Sequence, residues 1–184
     1  MARWTVRGIV ADMMPVLAVL TLIELVSGVV LDTFQATLLR FPSLLVLVPV
    51  TIGTAGNLGS VLAARLSTAF HLGTLSFAVD DDVLGGNALA TVALAATIFP
   101  LVGVGAWVLA EATVGARLGP ARVVAVAVVS GLALSVLAVA VTVVATYAAY
   151  RRELDPDDVV IPAVTNVCDV LGVVVLFVVV GVLV

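Results

Sequence analysis

Long aliphatic stretches separated by short polar intervals dominate this chain. They predict five helices, at about residues 12–31, 42–64, 86–110, 121–150 and 159–184. Each is near the ~20 apolar residues that a helix needs to cross a bilayer. The runs do not alternate in ten-residue segments, which argues against a membrane β-barrel. The fourth is the longest and is expected to tilt or to extend past the membrane. The connections are short, about eleven residues precede the first span, and none follow the fifth. The expected organisation is an all-α membrane protein, one transmembrane domain over residues 1–184 with no separate extramembrane domain. Arg3 and Arg7 precede the first run as they would in a signal peptide. That run is too long for a signal segment and no clear small-residue cleavage site follows, so it reads as a retained span.

Polar residues inside these runs change the picture. Asp169 lies roughly ten residues into the last run, about 15 Å deep at 1.5 Å per residue, near the middle of a hydrocarbon core about 30 Å thick. An acid there costs on the order of 2.5–3.5 kcal/mol on insertion scales and usually marks an ion or proton route. Thr165, Asp169 and Gly172 share one helical face at i, i+4 and i+7, with Asn166 beside it. Asp157 or Asp158 can cap this helix, and Pro162 is expected in its first turn. The second span holds Pro49, then Gly53, Gly56 and Gly59 at intervals of three, with Asn57 among them. Proline removes a backbone donor and kinks a helix, so this span carries a broken-helix signature suited to a pore wall. The competing reading is a packing seam, since small residues let helices approach closely. Oxygen donors such as Asp169, Thr165 and Asn166 suit a hard divalent ion that keeps part of its water shell. The competing reading of Asp169 is a protonated acid bonded to a neighbouring helix. Glu24, inside the first span, is either a second cation or proton site or an acid bonded across helices.

Composition agrees. The chain is 63% hydrophobic and 11% charged, with a mean hydropathy of +1.33, which excludes an ordinary soluble domain. Five arginines (Arg3, Arg7, Arg65, Arg151, Arg152) fall on one side and three (Arg40, Arg117, Arg122) on the other. The bias predicts an N-terminus in the cytoplasm and a C-terminus outside, and the expected location is the plasma membrane. All eight basic residues are arginine, the net charge is −4, and much of the acid lies in two runs, 80–82 and 155–158. That balance suggests adaptation to high salt and leaves no basic patch for nucleic acid. The single Cys168 forbids an internal disulfide and reads as a buried, inert thiol. His71 is expected in a solvated loop, Asn87 and Thr91 as interfacial caps, Glu111 in solvent, and Asp80 to Asp82 as a solvated loop. No catalytic constellation is present, so an enzyme is not expected.

Two segments carry a resemblance. The run from Leu47, Val48 and Pro49 through Gly56 and Asn57, followed by Ala64 to Ala69 and Gly73, is similar to the second span of MgtE-type magnesium transporters. It is still more similar to their eukaryotic relatives of solute carrier family 41. The segment from Asp155 and Pro156 through Pro162, Thr165 and Asp169 to Gly172 resembles the family's final span, and Gly28 to Asp32 also fits. The resemblance implies five helices per unit and two units around a pore lined by the second and fifth spans. It implies that Asp169 binds the cation and that Asn57 lines the pore. Bacterial members often carry large cytosolic sensor domains, for which this chain has no room. Asn166 and Cys168 stand where those members often have hydroxyl residues. The eukaryotic relatives carry two units per chain and this chain has one, which implies a homodimer or a heterodimer with a similar chain.

The expected function is therefore a divalent cation channel or transporter, with magnesium as the leading ion and other divalent ions open. The expected ion-site residues are Asp169, Asn57, Thr165, Asn166 and Glu24. Two alternatives stand beside it. One is an exchanger coupling the divalent ion to Na⁺ or H⁺ through Glu24. The other is a non-conducting subunit beside a conducting relative.

Overall fold

Each of the five apolar runs forms one long helix in the computed structural model, which describes residues 5–78, 80–152, 154 and 156–184, with backbone alone at 9, 12 and 156–158. In chain order these are α1 (Val6–Thr33), the short α2 (Gln35–Arg40), α3 (Pro42–His71), α4 (Asp82–Thr113), α5 (Pro120–Arg151) and α6 (Pro156–Leu183). All but α2 are long and apolar enough to cross a membrane. Valine is a weak helix former in water, yet α5 and α6 are rich in it. In hydrocarbon the backbone must satisfy its own hydrogen bonds, which leaves the helix as the solution.

The ends are set locally. The Thr5 hydroxyl accepts from the Gly8 N–H at 3.2 Å, and α3 and α5 begin with proline, whose missing N–H costs nothing in a first turn. Asp81 caps α4, accepting from the N–H groups of Val83 at 2.9 Å and Leu84 at 3.0 Å. It also accepts from the backbone and hydroxyl of Ser76. These bonds favour the carboxylate, and those from Ser76 and Leu84 do most to lower its pKa from 3.8 to about 2.

Several expectations are corrected here. The cap of α4 is Asp81, not Asn87 or Thr91. Those two lie within the helix, each bonding back to a carbonyl four residues earlier. The aspartate run is thus partly structural. His71 is the last residue of α3 rather than a loop residue. α3 runs unbroken through Pro49, because neighbouring helices hold it on both sides of the proline and one lost bond does not end a helix of this length. Pro162 lies inside α6 rather than in its first turn, because the helix already begins at Pro156. Glu111 is exposed, and its carboxylate also closes the following turn by accepting from the Ala116 N–H at 2.8 Å. α2 was not anticipated; only Leu38 of its six residues is buried. The orienting Arg3 and the capping roles expected of Asp157 or Asp158 lie outside the described residues.

Helices α3, α4, α5 and α6 form the core, with α3 touching the other three. α1 lies outside it, and its helix neighbours among the described residues are α6 and α2. Leu20 meets Asn166, and the Phe34 ring stacks on Phe177 with centroids 3.8 Å apart, so α1 and α6 run parallel. Close approaches rest on glycine. Gly131 accepts the ring of the fully buried Phe99. On the α3–α6 seam, Gly56 faces Thr165 and Cys168, Gly59 faces Val164, and Gly172 faces Ile52. The glycine series in α3 therefore divides between the two readings. Gly56 and Gly59 pack helices, while Gly53 faces open space.

Gly131→Val should drive a methyl into the Phe99 ring and destabilise the protein by about 1–3 kcal/mol, read as a lower thermal midpoint in detergent. Gly53→Ala should leave that midpoint unchanged or slightly raised, since nothing lies within 4 Å of the added carbon. The Asp81 cap should fail in acid. Its pKa is lower in the folded chain, so its contribution is full above 3.8 and fades as pH falls through about 2. Amide exchange protection at Val83 and Leu84 should fall over that interval, and Asp81→Ala should remove the transition.

Candidate functional site

The middle of α6 is where polar groups gather inside the bundle. Gly56, at the middle of α3, lets α6 approach until its position faces the backbone of Thr165 and the side chain of Cys168. Asp169 follows on the next residue and is half-buried. It points toward α1, where Glu24 lies within side-chain hydrogen-bond reach. Two carboxylates at such range repel unless a cation or a shared proton lies between them. Glu24 itself is exposed, so the pair sits at the margin of the bundle.

Asn166 stands three residues before Asp169 and is 3% exposed. Its Nδ2 donates to the Leu20 carbonyl of α1 at 2.9 Å. Leu20 lies one helical turn before Glu24, and Asn166 one turn before Asp169. Parallel α1 and α6 therefore meet at two successive rungs, one amide to carbonyl and one carboxyl to carboxyl. The amide nitrogen is engaged with α1, and the side-chain oxygen remains as an acceptor. Thr165 is half-buried, and its hydroxyl lies 3.1 Å from each of the Ile161 and Pro162 carbonyls of its own helix. Its proton is thereby spent, and its lone pairs remain. Cys168 is buried and free, and it faces Gly56 on the packing side of α6.

Asn57 is not in this group within one chain. It adjoins Gly56 and so lies at the level of Asp169, but one residue of helix turns it about 100° away. It is exposed, and it lines a crevice of about 240 Å³ with Thr54 and, from α4, Leu94 and Thr97. Of the five residues singled out from sequence, Glu24, Asn166 and Asp169 meet at the α1–α6 contact, Thr165 stands one turn before Asp169 on the α3–α6 seam, and Asn57 opens elsewhere. Among the described residues no group of three or more His, Cys, Asp or Glu forms a metal cage. What one chain offers is a carboxyl pair flanked by neutral oxygens. Such a set suits a hydrated hard cation better than a stripped one. The carbonyl of Leu20 had no signal in the sequence, because any backbone carbonyl could have met Asn166.

A family model described as MgtE, divalent cation transporter, matches residues 48–179. No curated protein and no solved structure matches the chain. The matched region begins within α3 and reaches nearly to the end of α6, so it contains Asn57, Thr165, Asn166 and Asp169, while Glu24 precedes it. With more than half of its length matched and five helices long enough to cross a membrane, the chain belongs to the MgtE family of divalent cation transporters.

Proposed function

We propose that the chain conducts divalent cations, magnesium foremost, along α3 and α6 at an interface between two copies. The observation that carries this reading is Asp169, a carboxyl at mid-membrane depth with Glu24 in reach. Magnesium releases its waters reluctantly, so the ligands act through its hydration shell. Asp169 supplies charge, while the Thr165 and Asn166 oxygens accept from bound water. Glu24 supplies the second charge, and a cation between the two carboxylates relieves their repulsion. The oxygens at this site also let the ion leave, since none of them strips it fully.

Asn57 supports the second copy. An amide facing hydrocarbon without a partner is costly, and Pro49, Gly53 and Asn57 recur along the exposed side of α3. A twofold dimer that closes on this face buries the amide and sets two copies of the pathway wall against each other. The arginine distribution supports a plasma-membrane orientation with the N-terminus in the cytoplasm.

A second reading draws on the Glu24–Asp169 contact: exchange of the divalent ion for Na⁺ or H⁺, with Glu24 as the coupling acid. A contact between carboxyls on different helices is a place where two cations can compete.

Magnesium flux into liposomes containing the purified chain tests both readings. Asp169→Asn should lower flux by about 10–100-fold, the range seen when an outer-sphere partner of a metal is lost, with the protein still monodisperse. Undiminished flux would remove Asp169 from the ion's path. In the exchanger, Glu24→Gln abolishes the dependence of flux on a Na⁺ or pH gradient and leaves divalent binding intact. In the channel, flux follows membrane potential alone. Asn166→Ala should leave the Leu20 carbonyl without its α6 donor, costing about 1–3 kcal/mol. Faster amide exchange confined to α1 is the expected signature.

A further inference from the structure

Between the end of α3 and the start of α4 lies a cavity of about 460 Å³, lined in part by Arg65, Thr68, Thr74, Val83 and Asn87. The Arg65 Nε donates to the Asn87 Oδ1. The Asn87 Nδ2 donates to the Val83 carbonyl at 2.7 Å, so the amide is held with its oxygen toward the arginine. Asn87 thus fixes the guanidinium through one nitrogen and leaves both Nη groups unpartnered among the described residues. No described carboxylate forms an ion pair with Arg65. Thr68 and Thr74 spend their hydroxyl protons on the Ala64 and Ala69 carbonyls, which leaves Arg65 as the charged donor.

Depth decides what such a fork meets. Gly56 lies at the level of Thr165 and Cys168, in the middle of the bundle. Arg65 is nine residues further along the same unbroken helix, or about 13.5 Å at 1.5 Å per residue. Half of a hydrocarbon core is about 15 Å, so Arg65 reaches the layer where lipid phosphates lie. Ala64, Ala69 and Leu72 give the cavity an apolar side as well. We propose that this cavity binds the phosphate of an anionic phospholipid, with Arg65 as the bidentate fork and Asn87 as the residue that positions it.

A free phosphate has the same chemistry but a poorer approach. Asp80, Asp81 and Asp82 stand on the aqueous side, at the start of α4, and repel soluble anions. The Asp81 carboxylate faces Ser76 and the first turn of α4 rather than the cavity. A lipid arrives laterally, through the membrane. The site lies in the α3–α4 crevice, about two helical turns beyond Asn57 along α3 and away from the α1–α6 contact.

Native mass spectrometry of the purified full chain tests this, with phosphatidylglycerol, phosphatidylcholine or inorganic phosphate as the probe. The wild type should retain phosphatidylglycerol over phosphatidylcholine. Arg65→Gln should weaken that retention about tenfold, and Arg65→Lys by less, since lysine keeps the charge but loses the fork. Asn87→Ala should weaken it while leaving the charge in place, which keeps the test decisive if Arg65→Gln does not fold. Equal retention of both lipids by the wild type would overturn the proposal. So would phosphatidylglycerol binding insensitive to Arg65 and Asn87 changes. Displacement of the lipid by inorganic phosphate would assign the cavity to a soluble anion instead.

Discussion

Polar groups in hydrocarbon have no water to turn to, and the seating of α1 follows from that constraint. Its apolar face meets lipid as readily as protein, so aliphatic burial gives α1 little reason to choose one neighbour. The Leu20 carbonyl and the Glu24 carboxyl do give it one. Asn166 and Asp169 present the matching groups on α6, one turn apart. Shifting α1 by a residue would lose both rungs at once. Register between these two helices is therefore set by polar contacts together with the Phe34–Phe177 stack, while register between α3 and α6 is set by shape.

That shape comes from Gly56, Gly59 and Gly172, which bring α3 and α6 close enough for van der Waals contact along the seam. Hydrogen bonds add little there; Thr142 of α5 approaches the Gly59 carbonyl at 3.5 Å. Of the buried hydroxyls, those of Thr91, Ser130, Ser135 and Thr146 turn back on their own helix, while those of Ser43, Thr51 and Ser67 have no partner among the described residues. Apart from the long Thr142 contact, the cross-helix side-chain hydrogen bonds among the described residues lie at the α1–α6 and α3–α4 margins. Those margins are where an ion and a lipid phosphate are proposed to act.

The five spans were legible because helices in lipid announce themselves by uninterrupted apolar length. Asp169 was legible for the opposite reason, as a charge where length predicts none. The glycine series was legible as a feature but not in its meaning. Helical rotation sends Gly56 and Gly59 toward α6 and Gly53 away, and only the placement of α6 decides which side is which. The contact between Glu24 and Asp169 was not readable either. Each acid was visible alone, but nothing local in the chain says that the first helix packs on the last. α2 escaped because six residues with a single buried leucine carry no periodicity. The Asp81 cap escaped because three consecutive aspartates do not reveal which one meets the helix end.

The position of α1 has a consequence for how the chain is made. Among the described residues its one long partner is α6, and the contact between Leu20 and Asn166 spans 146 residues of sequence. During synthesis α1 enters the bilayer first, while its partner is the last of the five to emerge. Glu24 must spend that interval in or near the lipid with no carboxyl opposite it, and the core helices α3, α4 and α5 can associate without α1. Final docking of α1 then waits on the ribosome. The proposed Glu24–Asp169 site can form only after the other spans are made, because its two halves come from the first and the last of the five.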